Sequence, residues 1–83
     1  MKKFRIVKEE TIDVKGQVTA RFIPQYKGWF FWNDFTFYDG ARDKHFTYSF
    51  SDEKKAENFL NDYVRLNGLR NYSVVKEFHL DLR

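Results

Sequence analysis

Eighty-three residues with a formal net charge of +3 are expected to make a single small domain spanning residues 1–83, near the lower end of the sizes that fold unaided. The absence of cysteine excludes a disulfide framework and thiol chemistry. The longest apolar run, Trp29–Trp32, is far too short to span a bilayer, and Met1–Ile6 lacks the apolar segment of a signal peptide. The expectation is a cytoplasmic chain with no membrane contact.

Ten Phe, five Tyr and two Trp are many for this length. Each can bury about 150–250 Å², more than one sheet and one helix can hide. Part-exposed rings, and with them an interface, are therefore expected. Basic residues exceed acidic ones in residues 1–27, whereas residues 28–67 lean acidic. A dedicated nucleic-acid binder would show a denser basic stripe.

Residues 3–9 alternate weakly and predict a first strand. Residues 11–14 and 18–24 flank Lys15-Gly16-Gln17, a hairpin connection that would bring Ile12 and Val14 near Val18, Ala20 and Phe22. Pro24 cannot donate to a ladder, so it predicts a strand end or an edge. Tyr26-Lys27-Gly28 then reads as a turn into the stretch around which the chain is organised.

That stretch is Gly28–Asp39, in which seven of twelve positions are aromatic. Aromatic side chains suit a pleated surface, so it predicts one long strand. Trp29, Phe31, Asn33, Phe35 and Phe37 would face one way and Phe30, Trp32, Asp34, Thr36 and Tyr38 the other. Asp39-Gly40 opens a hairpin loop, and residues 44–50 return with Phe46, Tyr48 and Phe50 on one face. Ser51 is the expected helix cap, with Asp52 and Glu53 in the first turn. Ala56, Phe59, Leu60, Tyr63 and Leu66 form one apolar stripe, and Gly68 is a left-handed stop. Residues 72–80 predict a final strand with Val74, Phe78 and Leu80 on one side, its pairing direction left open. The fold class is α+β: a mostly antiparallel β-sheet in ββββ-α-β order with one helix packed on one face.

Catalytic candidates are few. His45 with Asp43 and Asp39 could orient a base or hold a metal, but aspartates at a hairpin are common for turn geometry alone. His79 falls on the solvated side of the last strand. Ser49 and Ser51 lack an activating partner, and each glycine fits a turn or helix end. No metal-binding signature, cofactor motif or catalytic constellation emerges, which points away from an enzyme.

The second aromatic face then admits three readings. It is core, covered by the N-terminal hairpin; it is a protein interface; or it stacks single-stranded nucleic acid beside Arg21, Lys27, Arg42 and Lys44. The expected function is a small non-enzymatic accessory protein, inhibitor-like or self-associating as a dimer, that binds protein through an aromatic sheet surface. The expected contact residues are Trp29, Phe30, Trp32, Tyr38, Arg42 and Lys44. Single-stranded nucleic acid is the alternative partner.

Overall fold

The computed structural model describes the backbone of residues 2–82 and the side chains of residues 2–79. It shows the expected α+β architecture: a four-stranded sheet in the order β3-β2-β1-β6, a two-stranded sheet β4-β5, and one helix, α1. The strands are β1 (Lys2–Ile12), β2 (Val18–Lys27), β3 (Trp32–Asp34), β4 (Thr36–Asp39), β5 (Lys44–Thr47) and β6 (Tyr72–Leu82), with α1 (Glu53–Leu66) between β5 and β6.

The β1 and β2 strands form a long antiparallel hairpin, Phe4 pairing with Tyr26 and Ile12 with Val18. Its strand runs unbroken to Ile12, and Val14 is left exposed in the turn rather than paired. The Asp13 carboxylate explains the boundary, because it accepts the backbone N–H of Lys15 (2.8 Å) and of Gln17 (2.9 Å). Gly16 supplies the positive φ of +81° that the turn requires.

Pro24 lies inside β2, not at its end. On alternate residues the strand turns its N–H to the same side. Phe22 N–H bonds Phe50 O (2.7 Å) and Gly28 N–H bonds Phe31 O (2.9 Å) on the side away from β1. The donor that Pro24 lacks would point the same way. There the β3 ladder begins only at Gln25, so the proline occupies a gap where no partner is required.

The aromatic stretch is not one strand. Residues 28–31 form a turn, β3 follows for three residues, Phe35 enters the core, and β4 continues in the second sheet. The two-faced alternation expected from Trp29 to Tyr38 is therefore replaced by a change of direction at Phe35. The β4–β5 hairpin itself forms as expected, Phe37 pairing with Phe46, and Phe46, Tyr48 and Phe50 are half-buried while their neighbours are exposed. Two contacts tie it back to the main sheet: Tyr48 N–H donates to Phe35 O (2.8 Å), and Phe50 bridges Phe22.

The helix cap falls one residue later than expected. Asp52, in extended conformation, accepts the N–H of Lys54 at 2.7 Å. Its carboxylate bonds the first turn, as a serine hydroxyl can, and its negative charge also meets the positive helix end. Ala56, Leu60 and Val64 are the buried row, four residues apart, with Phe59 and Tyr63 half-buried beside them. Leu66 is exposed: two positions past Val64, it points away from that row. Gly68 (φ +63°) ends the helix in a Schellman motif, Leu69 N–H bonding Val64 O and Gly68 N–H bonding Arg65 O.

The helix covers β1 and β2, closing a core of Phe4, Ile6, Phe35, Ala56, Leu60 and Val64. Phe35 is its aromatic hub, with ring centroids 4.9 Å from Tyr63, 5.0 Å from Tyr26 and 5.1 Å from Phe59. Strand β6 adds to β1 in parallel, Lys2 pairing with Tyr72, so β1 becomes a central strand. Val74 and Phe78 remain part-exposed beside the helix, while the side chain of Leu80 lies outside the described residues. Lys76 crosses the intervening groove to Glu53 (3.1 Å) and Glu57 (2.7 Å).

The opposite sheet face has no covering element, yet Val7 and Ile23 are only 3% and 6% exposed. Their cross-strand pair lies between the pairs Arg5–Gln25 and Glu9–Arg21. Long polar side chains lie over the apolar centre on this side.

Candidate functional site

The β2–β3 connection is a four-residue turn, Gly28-Trp29-Phe30-Phe31, closed by pairing of Lys27 with Trp32. Gly28 N–H bonds Phe31 O, and the Asn33 amide donates to the same oxygen at 3.2 Å. A Cβ at position 28 would stand 2.6 Å from the Asn33 side-chain nitrogen and 3.2 Å from Phe31 O, so a larger residue would push the Asn33 amide off its bond to that oxygen. The turn is thereby fixed while its side chains remain free. Trp29, Phe30 and Phe31 are 93%, 79% and 75% exposed. The Trp29 and Phe30 rings lie 6.5 Å apart, tilted 53° to one another.

Trp32, the next residue, is half-buried on the uncovered sheet face. The Arg5 guanidinium lies 4.6 Å and the Lys27 ammonium 5.5 Å from its ring centroid. Such cation–π contacts contribute about 0.5–1 kcal/mol at exposed sites and more when desolvated. Beside the turn an open groove of about 630 Å³ is lined by Lys2, Lys3, Tyr26, Lys27, Gly28 and Trp29. None of these lining residues is acidic.

The six contact residues expected from the sequence fall into two groups. Trp29, Phe30 and Trp32 belong to the turn and the first position of β3, in the main sheet. Tyr38, Arg42 and Lys44 belong to the β4–β5 hairpin, in the other. Tyr38 donates its hydroxyl to Asp43 and packs on His45 at 5.1 Å. The bond to Asp43 holds the Tyr38 phenol above its usual pKa. Arg42 reaches Asp39 at 3.7 Å and lies 5.7 Å from the Phe46 ring.

The Asp39, Asp43 and His45 trio serves its hairpin. Asp39 accepts the Ala41 N–H (3.0 Å), and Asp43 sits at φ +51° beneath Tyr38. Among the described residues, no three metal-ligating side chains gather, and no helix is long and apolar enough to cross a membrane.

Sequence reasoning missed Phe31, Lys2 and Lys3 as parts of this site, and named Lys27 only as a flank of the nucleic-acid alternative. The signal lay in Gly28 and Asn33, turn-forming residues on either side of the aromatic run. The proximity of Lys2 and Lys3 required the β1–β2 register, in which Phe4 opposes Tyr26. In comparisons with known proteins, no family model, no curated protein and no solved structure matches the chain.

Proposed function

We propose that the chain is a non-enzymatic binding module of the cytoplasm that docks on a protein partner through the β2–β3 turn. The observation that carries this reading is the exposure of three consecutive aromatic rings on a turn whose backbone is already fixed. Burying one such side chain stabilises a complex by about 1.5–3 kcal/mol. Little backbone ordering opposes that gain, because the turn is held by Gly28, Phe31 and Asn33 before any partner arrives. Aromatic anchors of this kind concentrate at the buried centres of protein interfaces. The partner is a larger protein or a second copy; Tyr38, Arg42 and Lys44 form a separate patch on the other hairpin.

Light scattering across a concentration series tests the self-associating form. A dimer that disappears in the W29S/F30S/F31S variant, with the fold intact by circular dichroism, supports the turn as the contact. A dimer that persists in that variant places the contact elsewhere.

Lys2, Lys3 and Lys27 beside Trp29 favour a second reading, single-stranded nucleic acid, whose bases stack on rings while cations hold the backbone. Oligonucleotide titration at low salt tests it, since phosphate binding is strongest there. No binding at low salt removes that reading.

A further inference from the structure

We propose that the surface taken by the β2–β3 turn is an apolar recess on a protein, edged by carboxylates. This rests on the reading of the turn as a protein-docking element and adds the chemistry of its partner. Several basic side chains elsewhere in the fold are matched internally, among them Arg5 by Glu77, Arg21 by Glu9, and Lys76 by Glu53 and Glu57. Lys2, Lys3 and Lys27 gather along the one groove next to Trp29, whose lining holds no acid. Among the described residues none of the three forms an ion pair, as is also true of the scattered Lys15, Lys44, Lys55 and Arg70. The acid closest in sequence to the turn, Asp34, already accepts the Gln25 amide at 2.6 Å.

When the rings enter a recess, the three ammonium groups are carried to its rim. Opposite a neutral or basic surface they would be partly desolvated without compensation, whereas carboxylates there would match them and speed the encounter. The ring arrangement suits a recess better than a polynucleotide. The Trp29 and Phe30 rings are tilted by 53° to one another, so the pair as arranged is not a parallel platform for successive bases.

The test places the photo-crosslinking residue p-benzoyl-phenylalanine at position 30 of the full chain. A control carries it at position 14, exposed in the β1–β2 turn. Both are irradiated in an extract of the native cell, and cross-linked peptides are sequenced. The expected result is a protein adduct specific to position 30, with Asp or Glu flanking an apolar cross-linked segment. Its yield should fall about tenfold between ~50 and ~500 mM salt, and comparably in the K2E/K3E/K27E variant. K2Q/K3Q/K27Q, which removes the charges without reversing them, should fall between the two and guards against misfolding of the reversed variant. A specific protein adduct that ignores salt and both lysine variants, or a neutral or basic cross-linked segment, overturns the acidic rim and leaves protein docking standing. Lipid or nucleic-acid adducts, or none beyond the control, overturn the docking reading and the inference together.

Discussion

The Arg5 guanidinium reaches across β2 to Trp32 on the uncovered sheet surface, its carbon 4.6 Å from the ring centroid. The same guanidinium donates to Gln25 (2.6 Å) and Glu77 (2.8 Å), and Gln25 passes a further bond to Asp34. One side chain thus links β3, β2, β1 and β6. Hydrogen bonds to charged groups contribute about 1.5–3 kcal/mol each when removal leaves a partner unmatched. Arg5→Ala should therefore destabilise the fold by about 2–3 kcal/mol, read as a lower urea midpoint. Trp32 fluorescence should shift to the red as the ring loses its cover. Arg5→Lys retains the charge without the planar fork and should recover less than half of the loss.

Phe35 converts the end of β3 into the core hub. Phe35→Ala should cost about 3–5 kcal/mol, most of the stability of a domain this small. Phe35→Leu should cost less. Near-ultraviolet circular dichroism reports both, because the rings around Phe35 give that signal.

The turn rings should behave oppositely. Trp29→Ser, Phe30→Ser and Phe31→Ser should each change unfolding free energy by no more than about 0.5 kcal/mol, while retention on a hydrophobic-interaction column falls. A loss of several kcal/mol in chemical denaturation would show that these rings support the fold.

At the helix start, Asp52→Ala should lower stability by about 1 kcal/mol and Ser51→Ala by less than half of that. Paired thermal melts separate the two positions.

The Lys76 link to α1 predicts a pH dependence. Hydrogen bonding and charge from Lys76 hold the Glu57 carboxyl below its ordinary pKa, and Glu57 with Glu53 holds the ammonium above its own. A lowered carboxyl pKa contributes stability above its unfolded value and loses it as pH falls through the folded one. The raised ammonium contributes below its unfolded value and loses it as pH rises through the folded one. Urea midpoints of the native chain should therefore exceed those of Glu57→Gln at neutral pH. That difference should vanish toward acid, below the ordinary glutamate range, and again in strong alkali.

Patterns that depend on neighbours in sequence were legible. The β4–β5 hairpin followed from Asp39-Gly40 and the alternation of Phe46, Tyr48 and Phe50, and the helix from its repeat and from Gly68. What failed needed long-range partners. Periodicity cannot show that Phe35 leaves its strand, because the reason is a cavity formed by Tyr26, Phe59 and Tyr63 from distant segments. Pro24 reads as an edge residue until the gap between Gln25 and the Phe22–Phe50 bridge is known. The site was half legible: composition marked Trp29 and Phe30, but treating the run as a strand hid Phe31 and the lysines of β1.

The parallel pairing of Lys2 with Tyr72 also sets an order of assembly. As synthesis proceeds from the amino end, β1 finds β2 at once, but its other flank stays open until the segment after α1 emerges. The main sheet thus reaches its full width through contacts between β1 and β6, which are far apart in sequence, a topology that slows folding. Removing β6 would bare one whole side of the central strand to any other polypeptide nearby.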